Sequence, residues 1–524
     1  MKRSRVSRRT RLGLYAVAVL TTPFLHALGF PPASVGAVAW VAMVPWFAAI
    51  RVAGWATALG LSALITLAGS YTVASWLPDA VVNYYRQPLV IGMGVFVGVW
   101  AVTVAPAVLA FTVCYRALAR RAVVTLPVLA GAAWAASEFG RVRLLVGDPF
   151  GLFGYSQVDC APLVQISDVT GVYGVSFVLA AVNVALAELV LTIGGRRRVT
   201  GDVIAGLGLV AVVVIGVLAY GSVQMRRWAD VAPQPPPTRV AIVQGNLDLG
   251  SQWRSEFYGR NLEEYLRLTL RAQQDDAAAL VVWPESAMTF FLQDEPSYQR
   301  SIGAVLAHSG AQLLAGGPRA VPRSIGAGKP AYYNSALLIA PSGDLLGWYD
   351  KQRLLPFAEY FPFGGSELLR REFARVREFS PAGATPPLRT VAGSAGVVIC
   401  NEVMFPEIVG ERVRAGAAYL VNLSNDTWLG DRKFALEALD MARLRAVEQR
   451  RYLVRASTSG PSAIIDPLGR VQVRTQSASR DTVSGSVQGN EQVTLYGRYG
   501  DVFAVVCAIA PLAVLIIGAW RAGV

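Results

Sequence analysis

Charged side chains are scarce in this sequence. Asp, Glu, Lys and Arg make up 16% of 524 residues, against about 25% in an ordinary soluble domain. With 53% hydrophobic residues, that shortage excludes an all-soluble enzyme, a disordered scaffold and a collagen-like chain; much of this protein sits in a bilayer. Cysteine is nearly as rare. Cys114, Cys160, Cys400 and Cys507 are too few and too scattered for a disulfide framework. Histidine occurs twice, and His308 alone lies outside an apolar run, His26 being inside one; neither a zinc cluster nor a Ser-His-Asp triad with a choice of histidines fits that count. Lysine occurs four times (Lys2, Lys329, Lys351, Lys433) beside 44 arginines.

The net charge of +13 raises the question of nucleic acid, and the placement of the charges answers it. Basic residues cluster in short runs between apolar stretches: Lys2, Arg3, Arg5, Arg8, Arg9 and Arg11; then Arg116, Arg120 and Arg121; then Arg196–Arg198. These are topology signals, and no aromatic-interleaved basic patch accompanies them. A bilayer-spanning helix needs about 20 mostly apolar residues. Candidate spans are 12–30, 34–50, 52–77, 89–115, 122–138, 170–194, 203–223 and 502–520. The first follows a basic segment as a signal peptide would, but further spans follow at once and no small-residue cleavage site stands out, so it reads as a retained helix. The positive-inside rule then puts both termini in the cytoplasm and 224–500 outside.

Two features of the spans carry open readings. The segment GDPFGLFGYSQVD (147–159) is either an interfacial aromatic belt or a loop beneath the outer domain that shapes a lipid entrance. Glu138, closing the fifth span, reads as interfacial, where a carboxylate costs little; the alternative is a buried functional group.

Composition changes after residue 228. Pro233, Pro235, Pro236 and Pro237 form a stiff linker, and strands then alternate with helices: strands at 239–246, 279–283, 311–316, 396–400 and 418–424, helices at 255–275, 299–309, 405–415 and 434–451, and a strand pair within 453–474. SALLIAPSGDLLGWYDK is a hairpin about Pro341-Ser342-Gly343-Asp344. One layered α/β domain follows, giving three parts: 1–227 as a seven-span membrane domain, 228–500 as the outer domain and 501–524 as an eighth span.

Reactive groups in layered α/β domains are displayed at strand ends. Three strands here end in Glu285, Lys351 and Cys400. Alone, a Glu after Trp-Pro is a solvated loop residue and a Cys after an apolar run is buried filler. Lys351 says more, because a composition leaning so far toward Arg keeps a compact ammonium there. Together they make a nucleophilic set: a thiol needing a base, a carboxylate to supply it, and an ammonium to stabilise thiolate and oxyanion. The backbone N–H of Asn401 is a second oxyanion donor.

The contexts WPES, YDKQRLLPFAEYFP and VVICNEVMFPE resemble the nitrilase superfamily, and with the flanking spans and the GYSQ loop the chain resembles its membrane branch, the apolipoprotein N-acyltransferases. That resemblance implies an αββα sandwich beside about eight transmembrane helices and a ping-pong acyltransferase of a bacterial inner membrane. An acyl chain leaves a phospholipid such as phosphatidylethanolamine, forms a thioester on Cys400, and passes to the α-amino group of a lipoprotein's N-terminal S-diacylglyceryl-cysteine. By motif, Glu285 is the general base, Lys351 the oxyanion and charge stabiliser, and Glu359 and Glu402 supporting carboxylates. Trp253 matches a substrate-pocket tryptophan, its other reading being an exposed loop aromatic. The family commonly has an aromatic after the cysteine where this chain has Asn401, which bears on donor preference. No metal or organic cofactor is implied, and the expected enzyme is a monomer.

Phe290, Phe291, Phe357, Tyr360, Phe361 and Phe363 flank the Glu and Lys motifs and suit a mobile lid that receives lipid chains. Two other functions share these features. One is a membrane-anchored amidase or hydrolase with the same triad and water as acceptor. The other is a transporter or receptor with an enzyme-like outer domain, against which stand the intact triad and the few intramembrane charges.

Overall fold

The structure, a computed structural model, describes residues 8–120, 122, 124–144, 147–194, 200–230, 236–247, 253–322, 330–362, 378–429 and 432–523. Lys2, Arg3, Arg5, Arg121, Arg196–Arg198, Lys329, Pro233, Pro235 and Phe363 lie outside them. The chain divides into a helical unit (Met1–Pro78, Val90–Asp230, Tyr499–Val524) and an α/β unit (Asp79–Leu89, Val231–Arg498).

In the helical unit, six helices among the described residues are long and apolar enough to cross a membrane: Arg8–Leu28, Trp55–Ala74, Leu89–Leu118, Val172–Gly194, Gly201–Trp228 and Val502–Arg521. Their outer faces carry Leu20, Val90, Val212 and Ile516, each more than two-thirds exposed, as side chains facing lipid should be. The remaining two apolar stretches differ. Residues 34–50 form two short helices, Gly36–Ala39 and Val44–Val52. The break is sustained by buried Asn183, whose amide donates to the Ala39 carbonyl (3.0 Å) and whose Oδ1 accepts from Met43 N–H (2.8 Å). A broken helix in an apolar setting needs such substitutes for its lost backbone bonds. The other stretch, Leu126–Arg143, is helical but ends in Glu138, Arg141 and Arg143.

Glu138 corrects the interfacial reading. It is 4% exposed, and its Oε1 accepts from Trp134 Nε1 (3.0 Å) and Phe153 N–H (2.7 Å). The GYSQ segment is likewise folded into the helical unit as a buried turn, Phe153–Gln157. Gly154 N–H donates to Ser176 Oγ (2.8 Å), and Gln157 Nε2 to the Gly36 carbonyl (2.7 Å). Glu138 thus satisfies a backbone donor of an irregular segment that would otherwise be orphaned.

The α/β unit holds two six-stranded sheets. Its strands are β1 Thr238–Gln244, β2 Leu280–Val282, β3 Gln312–Val321, β4 Ala331–Ile339, β5 Leu345–Asp350, β6 Leu388–Thr390, β7 Gly393–Ile399, β8 Tyr419–Ser424, β9 Leu453–Ser457, β10 Ala463–Ile465, β11 Val471–Arg474 and β12 Asp481–Val487. The first sheet runs β12-β1-β2-β3-β4-β5 and the second β11-β10-β9-β8-β7-β6. β1, β2 and β3 are parallel, as are β7, β8 and β9. Such strands are covered on both faces, which explains their continuous apolar runs. Val240, Ile242, Leu280 and Val282 meet Val397, Ile399, Val421 and Leu423 between the sheets. Val243, Val281 and Leu313 pack outward with Leu262, Leu268 and Ile302 of the helices Tyr258–Asp275 and Pro296–Ser309. The expected hairpin is β4–β5, antiparallel.

Candidate active site

Glu285, Lys351 and Cys400 follow β2, β5 and β7 and line one small cavity of about 60 Å³. Tyr84, Trp253, Ser286, Asn334, Leu355, Ala358, Glu359, Phe379, Asn425 and Trp428 complete its wall. All three charged or reactive side chains are nearly solvent-free, Lys351 at 1% exposure.

The backbone turns sharply where the chemistry sits. Cys400 has φ +53° and Ser286, next to Glu285, has φ +57°. Such non-glycine conformations are strained and persist only where the surroundings over-determine them. At Cys400 the determinant is Glu402, which is fully buried. Its Oε2 accepts from Ile399 N–H (2.7 Å) and the Tyr349 hydroxyl (2.9 Å). Its Oε1 accepts from Gln352 N–H (2.7 Å) and Arg353 N–H (3.0 Å). One carboxylate therefore fastens the cysteine turn to both ends of the lysine segment. Asn401 is buried in the turn Cys400–Met404, and its Oδ1 has no hydrogen-bond partner among the described residues.

Lys351 Nζ is 2.7 Å from Glu359 Oε2 and 4.0 Å from Glu285 Oε1. Glu359 Oε2 also accepts from Leu355 N–H (2.8 Å). Glu285 Oε2 accepts from Asn425 N–H (2.8 Å), and Asn334 Nδ2 donates at 2.7 Å to Oε1 of both Glu285 and Glu359.

These contacts divide the charges. Burial works against the Lys351 ammonium, but Glu359, Cys400 and Glu285 more than offset it, so its pKa is raised and it stays a cation. Burial raises the Glu285 carboxyl above the ordinary glutamate range, Glu359 adds to this, and Lys351 with the two hydrogen bonds opposes it. Burial, then Glu285, pushes the Cys400 thiol well up, with Lys351 opposing. The resting cavity therefore holds a protonated thiol, a fixed cation and a carboxylate with raised proton affinity. Cys114, Cys160 and Cys507 are free thiols like Cys400. Among the described residues no group of three or more His, Cys, Asp and Glu side chains is arranged to hold a metal ion.

Of the aromatics named from sequence, Trp253 lines the cavity. Phe290 does not: it is 4% exposed in the core of the first sheet's outer layer, against Tyr258 and Tyr298. The chain turns inward after Ser286 and takes Phe290 with it. Phe291 packs on Tyr332. Phe357, Tyr360 and Phe361, beside Glu359 in sequence, are half-buried, with Phe357 and Phe361 in edge contact at 5.9 Å. Tyr84, Asn334, Asn425 and Trp428 went unnoticed in the sequence. A polar residue inside the apolar run of β4 was the one available sign of Asn334, and the Asn-Asp pair closing β8 the sign of Asn425.

The carbon-nitrogen hydrolase family matches residues 239–493, and the apolipoprotein N-acyltransferase N-terminal domain matches residues 23–185. An apolipoprotein N-acyltransferase from Geobacter metallireducens is 34% identical over 512 residues, covering 97% of this chain and 95% of that protein. The chain belongs to the apolipoprotein N-acyltransferase family. A second such protein, from Pseudomonas syringae pv. tomato, is 32% identical and covers 72% of each chain. A solved carbon-nitrogen hydrolase from Helicobacter pylori aligns over 48% of this chain and 89% of its own, at 16% identity and TM-score 0.37. Membership makes this an acyltransferase within the carbon-nitrogen hydrolase superfamily, a bacterial membrane protein with lipid and lipoprotein substrates.

Proposed function

We propose that this N-acyltransferase carries an acyl group on Cys400 from a phospholipid, with phosphatidylethanolamine the expected donor, to the α-amino group of a lipoprotein's N-terminal S-diacylglyceryl-cysteine. What supports this reading is that a thiol, a carboxylate of raised proton affinity and a fixed ammonium, brought from three strands, line one cavity. Glu285 takes the Cys400 proton as Sγ attacks the ester carbonyl. Lys351 Nζ and the Asn401 N–H receive the oxyanion. Collapse expels the lysophospholipid alkoxide, which recovers the proton from Glu285 and leaves a thioester. The acceptor amine then attacks that thioester, Glu285 removes its proton, and the departing thiolate takes it back. No net charge or proton is left on the enzyme.

Glu359 holds the ammonium and Glu402 holds the turn; Trp253, Phe357, Tyr360 and Phe361 receive acyl chains. Residues 1–227 and 501–524 anchor the 228–500 catalytic region on the extracytoplasmic side of the inner membrane, with both termini cytoplasmic.

The test is the intact mass of the purified protein after incubation with phosphatidylethanolamine alone. An acyl-sized gain is expected, removed by hydroxylamine, discharged by a diacylglyceryl peptide, and absent in Cys400→Ala. Free fatty acid accumulating without a gain makes the chain a hydrolase, and normal turnover by Cys400→Ala ends the mechanism.

A further inference from the structure

Asn334 stands where the site's charges meet, and neither the motifs nor the reaction above gives it a task. It lies in β4, 6% exposed. Its carboxamide donates to Glu285 Oε1 and to Glu359 Oε1, both at 2.7 Å. Its backbone carbonyl accepts the Lys351 N–H at 2.9 Å. The amide's orientation follows from chemistry: with a carboxylate on each side, Oδ1 turned toward either would set acceptor against acceptor.

We propose that Asn334 is a positioning residue that stops the two buried carboxylates from sharing a proton, keeping Glu359 as the partner of Lys351 and Glu285 as the base. The proposal rests on the thioester reading above. Two carboxylates buried side by side repel, and the usual remedy is one proton held between them. Such a dyad would tie up the Glu285 lone pair that must receive the thiol proton. A neutral group with two N–H donors relieves the same repulsion differently. Each N–H needs a lone pair opposite it, so neither Oε1 can carry a proton on the side that faces Asn334.

The rest of the geometry then separates the pair. Glu359 Oε2 has Lys351 Nζ at 2.7 Å and the Leu355 N–H at 2.8 Å. Glu285 Oε2 has the Asn425 N–H at 2.8 Å, with the ammonium 4.0 Å from Oε1. The charged and titratable groups around Glu285 are thus Lys351 after β5, Glu359 on the following loop and Cys400 after β7. Asp426 after β8 also acts on Cys400 but is itself tied to buried Arg455 at 2.8 Å. Asn334 hydrogen-bonds both carboxylates through one amide nitrogen, and its bond favours the ionised form of Glu285.

The experiment is the pH dependence of single-turnover thioester formation in the full chain with phosphatidylethanolamine, for wild type, Asn334→Ala, Asn334→Ser and the isosteric Asn334→Asp. Without the two donors the carboxylates are left to share a proton. The acid limb of Asn334→Ala is expected to move up by about one pH unit, with about tenfold slower acylation below it and a plateau recovering toward wild type above it. Asn334→Ser, keeping one donor, should fall between, and Asn334→Asp should shift in the same direction as Asn334→Ala. A merely structural role lowers the rate at every pH and leaves the inflection in place. Acid limbs that overlay wild type in the variants that fold overturn the proposal, and Asn334→Asp serves that comparison if Asn334→Ala does not fold. A wild-type chain that forms no adduct overturns the thioester reading instead, and this proposal with it.

Discussion

Lys351 shows how far a single residue's chemistry depends on its neighbours. Alone and 1% exposed, an amine would shed its proton; beside Glu359 at 2.7 Å it stays charged. It therefore acts as a fixed cation, not as a proton donor. A guanidinium keeps that charge but spreads it over a planar fork that does not match a site built around a compact ammonium 2.7 Å from Glu359. Lys351→Arg is expected to slow thioester formation by about 10²-fold or more, and near-wild-type single-turnover rates would remove Lys351 from the mechanism. Glu285 sets the pH response. It must be ionised to accept the thiol proton, and burial with Glu359 raises its pKa. Acylation should therefore rise with pH through an inflection above the ordinary glutamate value of about 4.3. Glu285→Gln should lose about 10²–10⁴-fold in rate along with that inflection; a variant that keeps the wild-type acid limb shows that the limb belongs to another group.

At the scale of elements, the base is held by the close approach of a strand. Gly316 in β3 accepts the Met288 N–H at 2.9 Å and donates to the Pro284 carbonyl at 3.2 Å. A Cβ there would fall 2.5 Å from the Pro284 oxygen and 2.6 Å from Glu285 Cα. Gly316→Ala should then cost about 1–3 kcal/mol in a denaturant melt and slow acylation even where the protein is folded. Gly383→Ala, whose Cβ meets nothing within 4 Å, is the control, and equal losses in both would sink the argument. Elements of this kind were unevenly legible. Glu285, Lys351 and Cys400 each follow the end of a strand-like run, a place where their chemistry taken together brings them forward. Asn334 sits inside such a run, and its partners are 49 and 25 residues away, a distance that no local pattern encodes. The bend at residues 40–43 and the burial of Glu138 escaped for the same reason: Asn183 and Phe153, which make them tolerable, are remote in sequence or in an irregular segment. β12 crosses from the end of the second sheet to pair with β1, and its half-buried pattern lacks the apolar run that marked the other strands.

At the scale of the whole molecule, the α/β unit is not one continuous stretch of chain. It includes Asp79–Leu89, which comes between two apolar helices and lies outside the 239–493 match to the carbon-nitrogen hydrolase family. That segment brings Tyr84 to the cavity wall, in edge contact with Trp428 at 5.6 Å. It also brings the Tyr85 hydroxyl to the Phe357 carbonyl at 2.6 Å. Phe357 has φ +64°, a strained conformation two residues before Glu359, so this bond helps hold the loop from which Glu359 reaches Lys351. Removing the hydroxyl in Tyr85→Phe should loosen the loop by about 1 kcal/mol while leaving the sheets intact. The expected result in the full-length chain is faster amide exchange confined to residues 353–362 and slower thioester formation, with the melting temperature little changed. Exchange in that loop indistinguishable from wild type would mean that the inter-helix segment only passes by the site, and that the catalytic unit is complete without it.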